Sequence, residues 1–294
     1  MANVKELRGR IKSIGSIAQI TKAMEMVASM KLRKVQAKAL SHRPYAEEIR
    51  MLGHSLATGV GREEPQPLLQ ARAVQTVGVF LITSDRGMCG AYNSNVLARL
   101  HDFADRVKGE GKQIKFFVYG RKGYTYLYRR KFDVERFFVE PPLDKMDFQA
   151  ATAVAGALVE AFENGTIDEV RVFHTAFLSA ARFAPTDVPF LPVPSLETLA
   201  GDGAVAAPRG SYLIEPDAPT LLGVLIPKYL ETVVYDAMLQ SLAAEHASRR
   251  IAMKGATDAA TRMGKELKRV YNRARQEGIT KELLDIVGGA SAVS

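Results

Sequence analysis

This chain of 294 residues has one cysteine, Cys89, and no tryptophan. A single cysteine excludes an internal disulfide and a multi-cysteine zinc site, and it fits a reducing compartment. No run of about 18 apolar residues occurs, so nothing reads as a membrane span. The first residues, Met1–Arg8, lack the apolar core of a secretory leader. They are basic and amphipathic, as a transit peptide would be, but the same pattern continues through Arg43 without a cleavage-like break. Of the five histidines (His42, His54, His101, His174 and His246), none is spaced with another His, Cys or carboxylate as in a zinc site.

Acidic residues are scarce at both ends. Residues 1–43 hold ten Lys and Arg against only Glu6 and Glu25, and residues 249–275 hold nine against Asp258 and Glu266. The whole chain is only +8, so the remainder is net acidic. Two basic ends around an acidic centre point to an acidic partner for the ends, whether nucleic acid, anionic membrane or protein.

What is present is ordinary globular material: 47% apolar, 24% charged, 23 Gly and 13 Pro, which excludes disordered and collagen-like classes. The length allows about two domains. Residues 3–43 contain no proline and read as one helix, with apolar positions Val4, Leu7, Ile11, Ile14, Ile17, Ile20, Met24 and Val27. Pro44 predicts a kink, and the helix is expected to restart and end near Thr58. Residues 59–71 read as a linker, and 72–185 as an α/β domain. Within it, strands are expected at 77–83, 114–119, 134–139 and 169–174, alternating with helices at 92–107, 121–130 and 147–163. Alternation of this kind predicts a mainly parallel, Rossmann-like sheet covered by helices.

Seven of the 13 prolines fall in 185–219, so 186–226 reads as an irregular connector with one strand at 212–214. After Pro227 a second long helix is expected to about Val287. Its middle repeats at Ala256, Ala260, Met263, Leu267, Val270 and Ala274, which reads as a coiled-coil seam. The two terminal helices, about 85 and 90 Å long, are too long to bury their stripes on a domain of roughly 14 Å radius of gyration. They are expected to pair with each other as an antiparallel two-helix coiled coil, with the α/β domain inserted between them. Residues 227–294 end in a tip, Ile286–Ser294, without side-chain charge.

The loop Ser84–Asn93 follows the first strand and opens a helix, where α/β sheets bind ligands. It reads either as a phosphate cradle with a nucleophilic Cys89 or as a tight turn with Cys89 packed inward. Its glycine spacing fits neither the dinucleotide fingerprint nor the P-loop. His174, at the end of a predicted strand, reads as a catalytic group or as a packed one. The basic stretches read as a solvated coiled-coil face, as a rod inserted into an acidic protein ring, or as a DNA-binding surface. The last lacks the parallel zipper that a forked basic helix needs.

Four segments carry a resemblance that spans nearly the whole chain: Ile20–Ala28 with Lys31–Lys34, Ser84–Gly90, Ala252–Asp258, and Val270–Leu283 with Ile286–Ala290. In order, and at both ends of the chain, they resemble the gamma subunits of F-type ATP synthases. The resemblance implies a central rotor shaft. Its coiled coil would lie inside a ring of three alpha and three beta subunits, and its globular domain beside epsilon on the c-ring. Rotation driven by protons would carry the beta sites through their conformations in turn. It implies no catalytic residue, cofactor or metal on this chain, and no nucleic acid or direct membrane insertion. It also implies a place on the cytoplasmic face of a bacterial inner membrane. By position, Lys22, Met24, Arg33 and Lys34 resemble the segment facing the beta subunits. Arg250 resembles a supporting arginine, and Arg275, Gln276 and Thr280 resemble residues that contact a beta loop. Met88 stands where many members have leucine and Ala259 where asparagine is common. The regulatory cysteine insertion of photosynthetic members is absent.

Overall fold

The computed structural model describes residues 4–59, 67–193 and 217–293. Among the described residues the α-helices are α1 (Val4–Gly59), α2 (Tyr92–Gly109), α3 (Arg121–Arg129), α4 (Phe148–Glu163) and α5 (Ala218–Val293). Five strands form one sheet: β1 (Thr76–Ile82), β2 (Gln113–Tyr119), β3 (Val134–Phe138), β4 (Glu169–Ser179) and β5 (Arg182–Leu191). The chain divides into two units, Met1–Ser29 with Arg249–Ser294, and Met30–Ser248.

The first unit is an antiparallel pair of helices. Thr257 Oγ1 donates to Thr21 Oγ1 at 2.8 Å, and a Cβ on Gly264 would lie 3.7 Å from Ile14 Cγ2. Seven residues forward on α1 are therefore seven residues back on α5. Extending that register sets Leu7 against Tyr271, Ile11 against Leu267, Ala18 against Ala260 and Glu25 against Met253. Burial follows it. The inward residues of α1 are Val4, Leu7, Ile11, Ile14, Ala18, Thr21, Glu25 and Ala28; those of α5 include Met253, Thr257, Ala260, Gly264, Leu267, Tyr271 and Ala274. Both sets step by four and three, the spacing of a two-helix seam.

The expected stripes are corrected here. From Ile14 the sequence pattern continues in threes, and each step of three lags a helical turn by about 60°. Ile17, Ile20 and Val27 thus rotate out of the seam and are exposed, as are Met263 and Val270 on α5. Ala18, Thr21, Ala28, Thr257, Ala260, Gly264 and Ala274 alternate with larger apolar residues along the line between the helices, where small side chains let the backbones approach.

In the second unit the strand order is β3-β2-β1-β4-β5, with all pairs parallel except β4 with β5. Strands buried on both faces need apolar residues at every position, which is why β1 reads Val-Gly-Val-Phe-Leu-Ile without alternation. One face buries Val77, Val79, Leu81, Phe116 and Val118 against α2 and Leu127 of α3. The other buries Phe80, Ile82, Phe117 and Val172 against α4, against Leu32 and Val35 of α1, and against Leu230, Val234 and Met238 of α5. Asp147 caps α4 by accepting from the Ala150 amide at 2.9 Å.

Three expectations fall differently. Residues 182–191 form an edge strand although they contain Pro185 and Pro189, so the first residues of the expected connector, 186–191, belong to the sheet. At an edge the missing amides cost no ladder bond. β4 runs on past His174 to Ser179 to pair with it. Pro227 lies inside α5, which starts at Ala218 and not after that proline, while α1 runs through Pro44 to Gly59, close to the expected end at Thr58. Ala46, Ile49, Leu225, Ile226 and Leu230 beside these prolines are buried, and that packing offsets the lost helical hydrogen bonds. The expected strand at 212–214, residues 60–66 of the expected linker and the side chains of 288–294 lie outside the described residues.

Candidate functional site

A doubly wound sheet offers a ligand crevice where strand order reverses, here between β1 and β4. In this protein α5 fills it. Ser241 Oγ accepts from the Thr175 amide at 3.2 Å, and Ser248 Oγ donates to the Cys89 carbonyl at 2.6 Å. Ala244 packs on Cys89 and Tyr92. Tyr92 is buried, and its phenol is pushed well above the ordinary tyrosine range by that burial and by nearby Glu245.

The Ser84–Asn93 loop is held from within. Asn93 accepts from the Ser84 amide at 3.0 Å, and its Nδ2 donates to Ser84 Oγ at 2.7 Å and to Cys89 Sγ at 3.3 Å. Asp85 accepts from the amides of Arg121 at 3.1 Å and Leu143 at 3.2 Å, fastening the loop to two neighbouring segments. Gly120, at φ +101°, allows the close approach of Thr83, whose carbonyl oxygen would lie 2.1 Å from any Cβ there. Cys89 is buried and packed inward, which decides its two readings in favour of the tight turn. His174 is likewise buried in mid-strand, and desolvation holds its pKa below the usual value. Among the described residues no group of His, Cys, Asp and Glu could hold a metal, and no helix is long and apolar enough to cross a membrane.

The residues singled out by resemblance lie on the long helices. Lys22 is exposed and paired with Glu25 at 3.0 Å, while Met24 is half-buried. Arg250 is half-buried, and Arg275, Gln276 and Thr280 are exposed. In the coiled-coil register, Lys22 and Met24 stand level with Met253–Thr257. Arg275, Gln276 and Thr280 stand level with the first residues of α1 or beyond them, roughly 30 Å further along. They form two groups, not one site. Arg33 and Lys34 are exposed on α1 within the second unit.

Sequence reasoning missed a third feature, the apolar side chains left outside the seam. Ile17, Ile20, Met26 and Val27 on α1 and Ile251, Met263 and Val270 on α5 are 43–59% exposed in an otherwise charged coiled coil. Beyond the last residue that α1 can face, α5 exposes Ile279, Leu283, Leu284, Ile286 and Val287. The signal was available as an excess of large apolar residues over the positions one seam can absorb.

These features define a class: a single chain combining an antiparallel two-helix coiled coil with a doubly wound body whose ligand crevice is filled by its own helix. The family model described as ATP synthase matches residues 3–293. A Staphylococcus haemolyticus protein named ATP synthase gamma chain is 36% identical over 293 residues, covering all of both chains. A Mycobacterium marinum protein of that name is 39% identical over 316 residues, covering 100% of this chain and 98% of its own. Among solved structures, a chain of the Euglena gracilis mitochondrial ATP synthase (OSCP/F1/c-ring) shares the fold at TM-score 0.66 and 19% identity, over 99% of this chain and 94% of its own. The chain belongs to the ATP synthase gamma chain family.

Proposed function

We propose that this chain is the central shaft of an F-type ATP synthase, turned by a c-ring and driving the catalytic sites of surrounding beta subunits in sequence. One observation carries the reading: the coiled coil keeps its small residues for its own seam and turns large apolar ones outward. Contiguous exposed apolar surface calls for a cover, and a ring of alpha and beta subunits would supply it. The basic charge of the same helices suits acidic loops on that ring. A two-stranded rod within a threefold ring is asymmetric, so each face biases one beta subunit toward a different conformation.

The chemistry then belongs to the other subunits, and this chain contributes no catalytic group. Lys22, Met24, Arg33 and Lys34 face the beta subunits, Arg250 supports that region, and Arg275, Gln276 and Thr280 contact a beta loop further along. The c-ring and epsilon are partners of the sheet-bearing unit, and the complex works at the cytoplasmic face of a bacterial inner membrane.

The test is recovery of the tagged chain from gently solubilised native membranes. Alpha, beta and epsilon subunits should accompany it, with ATPase activity that the isolated chain lacks. Recovery alone, or with nucleic acid that survives a high-salt wash, would refute the assignment. In the recovered complex, Gln276→Ala and Arg275→Ala should lower ATP synthesis more than they lower subunit recovery.

A further inference from the structure

One surface of the sheet-bearing unit is explained neither by the coiled coil nor by the filled crevice. α3 spends Gly123 and Leu127 on the sheet and leaves Arg121, Lys122, Tyr128 and Arg129 exposed. Arg130 and Lys131 follow and are exposed as well, whereas Arg136 on the edge strand β3 lies over Phe138 on the other face of the sheet. Among the described residues none of the five cations at 121, 122 and 129–131 forms an ion pair. The nearby Glu135 is already held by Lys115 at 2.8 Å. The chain between its two basic ends is net acidic, so this is a basic island.

The island is rigid. Tyr124 stacks on Phe137, with ring centroids 4.3 Å apart, and Tyr128 stacks outward on Tyr124 at 6.0 Å. The Arg130 guanidinium lies 3.8 Å from the Tyr126 ring centroid. The backbone is also unusual. Lys131 adopts φ +58° just after the helix, while its amide donates to Tyr128 O at 3.1 Å and the next amide donates to Leu127 O at 3.2 Å. This is the left-handed helix stop that favours glycine. At the corresponding positions α2 and α4 use Gly111 and Gly165. α3 alone of the three places a cation there, against its backbone preference.

We infer that the exposed α3 face docks an acidic protein segment, whose carboxylates the guanidinium groups grip beside the stacked tyrosines. Arginine predominates over lysine in the island, which suits bidentate carboxylate recognition. A bilayer is the poorer fit. The apolar face of α3 is already buried on the sheet, and no exposed Leu, Ile or Phe remains on the helix to enter lipid. The inference is independent of the shaft assignment.

The test uses the full chain with Tyr128→p-benzoylphenylalanine, irradiated with a biotinylated oligoglutamate peptide. Photo-crosslinking should be strong at low salt. It should fall about tenfold in the Arg129→Gln, Arg130→Gln, Lys131→Gln background, the scale of losing several charge-assisted contacts. Lys131→Gly separates recognition from folding: it relieves the left-handed strain, so the melting temperature should rise while the crosslink weakens. In solubilised native membranes, the crosslink should map to a segment in which Asp and Glu predominate. Equal crosslinking by a neutral peptide, insensitivity to the three neutralisations, or a mapped neutral segment would overturn the proposal. So would stronger island-dependent binding to phosphatidylglycerol vesicles or single-stranded RNA.

Discussion

The seam of the coiled coil can be tested where sequence pattern and structure disagree. The pattern places Met263 and Leu267 on one stripe, whereas the structure half-buries Leu267 and leaves Met263 55% exposed. Leu→Ala removes about three methylene equivalents at ~0.8 kcal/mol each when fully buried. Half burial reduces the loss to roughly 1.2 kcal/mol, and the better helix propensity of alanine returns about 0.2 kcal/mol. Leu267→Ala should therefore cost about 1 kcal/mol of local stability, and Met263→Ala close to none. That cost is about a fivefold change in an opening equilibrium. Hydrogen exchange read by mass spectrometry on α5 peptides covering 253–274 reports it directly. Leu267→Ala should exchange about fivefold faster there, with Met263→Ala at the wild-type rate. Gly264→Ala gives the opposite sign: its Cβ would meet Ile14 Cγ2 at an ordinary 3.7 Å, so the propensity gain of about 1 kcal/mol should slow exchange. Equal acceleration by Leu267→Ala and Met263→Ala, or faster exchange in Gly264→Ala, would show that the helices meet along the other stripe.

Further expectations concern the sheet-bearing unit. Gly120→Ala should abolish soluble expression, because φ +101° and a carbonyl oxygen 2.1 Å from the new Cβ leave no accommodation. Asp147→Ala should cost about 1 kcal/mol through the lost cap on α4, seen as a lower denaturation midpoint at unchanged slope. His174 gives a pH signature. Burial lowers its pKa against the weaker opposing effects of Asp236 and Gln240. As pH falls below about 6.5 the unfolded chain takes up a proton that the folded chain refuses. Stability should then fall by up to about 1.4 kcal/mol per pH unit, and stay flat with respect to this group at higher pH. His174→Gln should remove that slope; an unchanged slope would mean that other groups produce it.

Most of the α/β elements were legible because fully buried parallel strands are written as unbroken apolar runs, as in β1 and β2, and the helices between them carry their own boundaries, such as Asp147 before α4. β5 was not legible, because its prolines are tolerated only at an edge and nothing local says that a strand will be one. Pro227 misled for a related reason: tertiary burial around it outweighs a local cost that sequence can see. In the coiled coil the pairing was legible and the stripe in part: Val4, Leu7, Ile11, Ile14 and Met24 on α1 and Ala256, Ala260, Leu267 and Ala274 on α5 are buried or half-buried as read, whereas Ile17, Ile20, Val27, Met263 and Val270 are not. Periodicity counts large apolar residues, whereas Ala18, Thr21 and Gly264 sit in the seam because they are small. The crevice at Cys89 looked like a ligand site because the β1 loop lies where ligands bind in such sheets. Only the structure shows that Ser241, Ala244 and Ser248, far away in sequence, occupy it.

That occupation bears on how such a sheet can serve a mechanical role. A crevice between β1 and β4 normally pays for ligand binding with open, polar backbone ends. Here the same groups grip the helix, through the Thr175 amide on Ser241 and the Cys89 carbonyl on Ser248. Hydrogen bonds at buried positions fix a helix rotationally in a way that apolar contact alone does not, because a sliding or turning helix would leave each partner buried and unsatisfied at roughly 1–3 kcal/mol. The coiled-coil unit is built on the opposite rule. Its own seam carries the Thr21–Thr257 bond, while its outward residues, Ile17, Ile20, Val27 and Met263, are apolar and non-directional. A surface of that kind can be covered by a neighbour at many angles with little preference among them, whereas polar contacts would select one. On the proposed shaft reading, the directional bonds lie where a torque would be held and the non-directional surface where rotation would stay free.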